Sequence, residues 1–138
     1  MDQDRLSAKH IQTLLRRSMT TKDQVQQLLD ALNIKGNVAW SMDFDMSQPN
    51  QVLNMGNGLI GGTHWVAVDN VHKRYFDPFG LPPVPSIPKD YDWYPLQIQN
   101  IRYGHCGQYC ALFLYYSQKN NIAEFYNIFD EASDDLVR

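Results

Sequence analysis

Apolar residues recur along the chain at two spacings. Ile11, Leu14 and Leu15 within residues 7–17 follow the helical repeat, and so do Val25, Leu28, Leu29 and Leu32 within residues 22–32. The first helix belongs to an amino-terminal extension over 1–18. The second is capped by Thr20 or Thr21 and is followed by Gly36. From Asn37 to Phe44 the pattern alternates loosely, as in an extended segment. Gln48-Pro49-Asn50 and Gly56-Asn57-Gly58 read as loops. Two short alternating runs, His64–Val68 and Arg74–Asp77, flank a polar turn and predict a hairpin. Pro82, Pro83, Pro85 and Pro88 exclude regular structure and predict a surface connector. Leu96 to Ile101 alternates again. From Cys106 to Ser117 the chain is apolar nearly all round, the mark of a buried helix. A short helix over Glu124 to Phe129 and an acidic tail complete the pattern.

These elements predict an α+β fold, a small mixed or antiparallel sheet packed against the buried helix. The 138 residues suit one domain, 1–138. Apolar residues at 43% supply a core, and charged residues at 20% are too few for a disordered chain. The net charge of −3 excludes a general nucleic-acid-binding surface, although Lys9, Arg16, Arg17 and Lys22 are local basic positions. No apolar run approaches the ~18 residues of a membrane span, and the polar start is not a secretory signal. The expected setting is the interior of a cell or virion. Only two cysteines occur, Cys106 and Cys110, and their spacing matches neither a loop-closing disulfide nor a zinc site.

The candidate chemistry is that of a thiol nucleophile. Cys106 opens the buried helix, where unpaired N–H groups and a neighbouring imidazolium lower a thiol pKa and meet a developing oxyanion. Gly107 after it admits substrate backbone. Cys110, one turn on, reads as core. Hairpin geometry singles out His64 as the base: if Val68 opposes Lys73 and Val66 opposes Tyr75, then His64 directly opposes Asp77. Opposed side chains have Cβ atoms ~4.5–5.5 Å apart. Asp77 then orients the imidazole and stabilises its cation, while its local reading is a turn residue before Pro78. Gln99, seven residues before Cys106, is placed to donate to the oxyanion, with Gln97 as its rival. His105 reads as a rim residue, and His10 and His72 as surface histidines.

Three blocks taken together resemble the adenain family, the adenovirus-type maturation endopeptidases, and more distantly the proteases of SUMO and other ubiquitin-like proteins. Gly-Gly-Thr-His-Trp-Val-Ala-Val (61–68) resembles the family's histidine strand. Tyr-Phe-Asp-Pro-Phe-Gly (75–80) resembles its acidic block. Gln-Ile-Gln-Asn-Ile-Arg-Tyr-Gly-His-Cys-Gly-Gln-Tyr-Cys (97–110) resembles its nucleophile block. The resemblance covers about residues 61–118, with a looser match over Lys22 to Asp45. It implies a papain-like cysteine protease with Cys106 as nucleophile, His64 as base, Asp77 as orienting carboxylate and Gln99 as oxyanion donor. Gly61, Gly62, Trp65 and Gly107 are then the expected substrate-binding residues.

The implied activity is cleavage after Gly-Gly or Gly-X sites in viral structural precursors during virion maturation, in a double-stranded DNA virus or a virophage. The expected location is then the virion and the host-cell interior. The alternatives are an isopeptidase acting on ubiquitin-like modifiers and an inactive groove-binding module. Adenains are longer, are stimulated by DNA and form a disulfide with a viral peptide through a further cysteine. With no third cysteine and a negative charge, this sequence supports neither DNA nor an activating peptide, and no cofactor or metal is expected.

Overall fold

The computed structural model describes residues 21–56, 64–94 and 106–127. Helix α1 (Lys22–Ala31) is followed by strand β1 (Asn37–Trp40), a single 3-10 turn (Ser41–Asp43) and strand β2 (Asn50–Asn54). Strands β3 (Trp65–Asp69), β4 (Arg74–Phe76) and β5 (Asp92–Tyr94) come next, then helix α2 (Cys106–Gln118). Residues 122–127 are helical, which places the expected last helix two residues early at its start. The expected helix over 7–17 and the strand over 96–101 lie outside the described residues.

The five strands form one mixed sheet in the order β1-β2-β3-β4-β5, antiparallel in the centre and parallel at each margin. The fold class is α+β, as the sequence pattern predicts. Strands β2 and β5 were not expected. Asn50-Gln51-Val52-Leu53-Asn54 has polar ends and directly follows Pro49, so its loop signals outweigh its short apolar centre. Yet every residue from Asn50 to Leu53 is buried. Strand β5 has three residues, too few for an alternation to register.

Strand β3 is buried along its whole length because both sheet faces are covered. One face carries Val38, Val52, Trp65, Ala67 and Phe76 against α1 and α2. Val25, Leu28 and Leu29 come from α1, and nearly every residue of α2 joins from the other side. The opposite face carries Leu53, Val66, Val68 and Tyr75 under Ile87 and Tyr91, with Val84 packed beside them. The proline-rich segment is therefore more than a surface connector. Its irregular backbone seats apolar side chains on the second sheet face.

The helix ends follow local chemistry. Thr21 accepts a hydrogen bond from the Gln24 N–H at 3.1 Å while the Gln24 side chain accepts from the Thr21 N–H, a reciprocal cap. Both helices stop at an asparagine with positive φ, Asn33 (58°) and Asn120 (54°). The next residue's N–H then reaches back five positions, Ile34 to the Leu29 carbonyl and Asn121 to the Tyr116 carbonyl. Gly36, expected to end α1, serves a close approach instead. A Cβ there would stand 2.0 Å from the carbonyl oxygen of Asn50. Gly36→Ala is therefore expected to cost about 3 kcal/mol by forcing two backbone segments apart. Urea unfolding measures this, and an unchanged midpoint contradicts the contact.

Candidate active site

The β3–β4 hairpin closes through a four-residue loop in which Lys73 takes a positive φ of 57°. Its register differs from the expected one by two residues: Val68 opposes Tyr75 and Asp69 opposes Arg74. An even shift keeps every side chain on its face. The paired residues end at Ala67 and Phe76, and in this register Asp77 is not directly opposite His64. The ring nitrogen Nε2 of His64 nevertheless lies 2.8 Å from Asp77 Oδ1. The expected pair forms, without direct opposition.

The backbone explains why the carboxylate is held still. Asp77-Pro78-Phe79-Gly80 is a turn closed by the Gly80 N–H donating to the Asp77 carbonyl at 2.8 Å, with Gly80 at φ 74°. Asp77 Oδ1 also accepts the Phe79 N–H at 2.8 Å. The turn reading and the orienting reading of Asp77 thus hold for the same atom. Phe79 sets its ring edge-on to the imidazole at 5.3 Å, a contact the sequence reading missed. His64 is fixed from the other side by the two residues after β2: the Met55 N–H donates to the His64 carbonyl at 2.8 Å and the His64 N–H donates to the Gly56 carbonyl at 3.3 Å. Both partners are buried, His64 to 8% exposure and Asp77 to 1%. Since Asp77 accepts at Nε2, the nitrogen left for another partner is Nδ1.

Cys106 begins α2 as expected, and its thiol has no exposed surface. The backbone of Trp65, the residue after His64, bonds the sulfur and, together with the N–H of Cys106 itself, pulls the thiol pKa down. Asp77 lies near enough for its charge to act on the thiol. The candidate thiol therefore lies against Trp65, the neighbour of the candidate histidine, and within the field of the carboxylate that holds that histidine. One expectation is corrected. A helix-start thiol was expected to be acidified, but burial pushes Cys106 up to about 11, against the smaller pull of these backbone groups. Cys110 lies deeper and is pushed further up, as its core reading requires.

Gly107 is the buried second residue of α2. Trp65 is 1% exposed and packs in the core under the helices. Its indole N–H is buried without a partner, beside a cavity of about 50 Å³ that also touches Lys22, Trp40 and Asn54. Gly61, Gly62, Gln97, Gln99, His105 and His10 lie outside the described residues. His72 is not a plain surface histidine: its Nδ1 lies 2.8 Å from the fully buried carboxylate of Asp69. Among the described residues no group of three or more His, Cys, Asp or Glu side chains is arranged to hold a metal ion. No described helix is long and apolar enough to cross a membrane.

No family model matches the sequence, and no curated protein matches it. Two solved structures are similar. One is the SUMO protease Ulp1 with its catalytic cysteine oxidised to a sulfinic acid, 12% identical, covering 99% of this chain and 81% of that one at a TM-score of 0.46. The other is the same protease with that cysteine oxidised to a sulfonic acid, 11% identical over the same shares at a TM-score of 0.38.

The raised Cys106 pKa has a measurable consequence. Without an imidazole to take its proton, the thiol stays protonated below about 11 and yields about tenfold more thiolate with each pH unit toward that value. In a His64→Ala variant, iodoacetamide labelling of Cys106 is expected to rise with pH to a midpoint near 11, with Cys110 slower throughout. A plateau below pH 9 refutes the burial argument.

Proposed function

We propose that this chain is a cysteine peptidase in which Cys106 is the nucleophile, His64 the base and Asp77 the carboxylate that orients it. The observation that carries the reading is the convergence at the start of α2. A helix-opening thiol is hydrogen-bonded to the residue after a histidine, and that histidine's far nitrogen is held by a buried carboxylate.

The chemistry follows from these groups. Burial disfavours a lone thiolate, so the proton must move as the thiol reacts. His64 Nδ1 takes it, and Asp77 at Nε2 stabilises the resulting cation. The sulfur adds to the scissile carbonyl carbon, and the carbonyl oxygen becomes an oxyanion facing the N–H groups of the first turn of α2. Collapse expels the amine, which leaves with the proton from His64, and a thioester remains. Water, deprotonated by His64, then hydrolyses the thioester and restores the thiol. Gln99 fits this reading as a second oxyanion donor, and Gly61, Gly62 and Gly107 as substrate contacts, while Trp65, buried in the core, serves to position the neighbouring His64.

The motif resemblance supports a substrate cleaved after a small residue, as at a Gly-Gly site. Two substrates of that kind fit the reading: a ubiquitin-like modifier joined through its carboxyl terminus, and a viral structural precursor processed in the virion or the infected cell. The test runs both. The protein is incubated with ubiquitin-like modifiers carrying a carboxyl-terminal electrophile and, separately, with Gly-Gly-X peptides and precursor proteins, and products are mapped by mass spectrometry. Adduct formation on Cys106 with the modifier selects deconjugation, and new termini in precursors select maturation. Failure of both with reduced protein overturns the peptidase reading.

Cys106→Ala is expected to abolish turnover with the fold intact, His64→Ala to be nearly as severe, and Asp77→Asn to retain part of the activity. Gln99→Ala is expected to lower kcat by about 10²–10³ with a smaller change in KM, and Gln97→Ala to be mild. The reverse ranking of the two glutamines assigns the oxyanion role to Gln97.

A further inference from the structure

One turn of the chain touches the His64 side chain twice. Asp77-Pro78-Phe79-Gly80 brings the Asp77 carboxylate to within 2.8 Å of the imidazole Nε2, and it sets the Phe79 ring 5.3 Å from the imidazole, centre to centre. The two ring planes stand at 86°. These contacts constrain different motions. A single hydrogen bond fixes the position of one ring nitrogen and leaves the ring free to tilt about the N···O line. The terminal torsion of a histidine is broad, so the bond alone does not select a tilt. An aromatic neighbour does, because ring quadrupoles favour edge-to-face approach over a face-to-face sandwich.

Phe79 is itself held in place. Its N–H donates to Asp77 Oδ1 at 2.8 Å, the same oxygen that meets Nε2. Gly80, at φ 74°, donates its N–H to the Asp77 carbonyl and closes the turn. Pro78 is buried and fixes φ at the first central position. The Phe79 side chain is half-buried and packs on the core cluster that contains Trp65, Phe76 and Cys106. Turn and core therefore both decide where this ring stands. The contacts that His64 makes with Met55 and Gly56 are backbone bonds, which hold its main chain and leave its ring alone. Among the described residues no other aromatic ring meets the imidazole.

We propose that Phe79 is a positioning residue that locks the tilt of the His64 ring, so that Nδ1 keeps one direction while Asp77 holds Nε2. Its catalytic consequence rests on the peptidase reading, in which Nδ1 takes the thiol proton; the locked ring does not. An imidazole free to tilt keeps its bond to Asp77 but points Nδ1 in the productive direction for less of the time. Substrate binding does not use the imidazole. Loss of the Phe79 ring therefore lowers kcat and leaves KM nearly unchanged.

The test uses the full chain, labelled with ¹³C and ¹⁵N, and two variants. Phe79→Leu keeps an apolar side chain and the N–H that donates to Asp77 but removes the ring, and Phe79→Tyr keeps the ring. NMR reads the His64 ring without substrate. In the unaltered chain a single sharp set of ring signals is expected, with Nε2 protonated and cross-relaxation between the Phe79 and His64 rings. Phe79→Leu is expected to broaden the His64 ring signals by exchange between tilts. It is also expected to lower kcat about tenfold with KM changed less than about twofold. Phe79→Tyr is expected to restore both. A His64 ring that stays sharp and singly oriented in Phe79→Leu overturns the proposal, as does a Phe79→Tyr variant impaired as much as Phe79→Leu. Should Phe79→Leu fail to fold, the unaltered chain decides: a His64 ring that exchanges between tilts, or shows no cross-relaxation with Phe79, overturns it. Absence of turnover in the unaltered chain refutes the peptidase reading and leaves the ring measurement to decide the lock, so the two failures are read separately.

Discussion

Strand β3 is pinned to helix α2 at both ends, and the rest of the molecule is arranged around that pairing. At the start of each, the backbone of Trp65 is hydrogen-bonded to the Cys106 thiol. At the finish, Ser117 Oγ donates to the buried carboxylate of Asp69. Between these points the strand spans about 13 Å and the helix about 16 Å, lengths that match within the tilt of a packed helix. Apolar burial holds the two surfaces together without direction. The two polar contacts choose the register. They explain why an element buried on both faces keeps an aspartate at its end, where an unpaired carboxylate would cost several kcal/mol.

That register brings the reactive groups together. His64 precedes β3 and Cys106 begins α2, so fixing one beginning against the other sets the thiol against the residue that follows the histidine. Asp77 arrives through the hairpin, held by its own turn before it meets the imidazole. The same carboxylate oxygen closes the turn through the Phe79 N–H and holds the ring nitrogen. Little further ordering is then needed to keep the imidazole in one orientation. The high thiol pKa fits this arrangement. Burial of the sulfur raises its pKa, and under the proposed peptidase reading His64 would be the group that takes the proton.

Much of this was legible in the amino-acid sequence. The apolar run from Cys106 to Ser117, the helical spacing of Val25, Leu28 and Leu29, and the alternation from His64 to Val68 each report a local period that burial then selects. The pairing of His64 with Asp77 followed from parity alone. A hairpin with an even loop returns side chains to the same face, so an error of two residues in register left the conclusion standing. What alternation cannot supply is which of two same-face residues lies directly opposite. Twist and the conformation of Lys73 decide that, and they set Asp77 off the direct position.

Other features depended on contacts between segments distant in the chain. Strand β2 reads as loop until β1 and β3 pair with its polar ends, and the proline-rich segment reads as connector until the second sheet face needs covering. His72 looks solvated until Asp69, buried by the sheet and tied to Ser117 from 48 residues away, takes its Nδ1. The acidity of Cys106 was misjudged for the same reason: position at a helix start is local, but desolvation depends on everything packed above the sulfur. Sequence by itself determined the two long helices, the central hairpin, the Thr21 cap and the residue types of the candidate site, because those follow from spacing and short-range chemistry. Tertiary structure alone decided register, burial and hence protonation, because these are properties of surfaces brought together from separate parts of the chain.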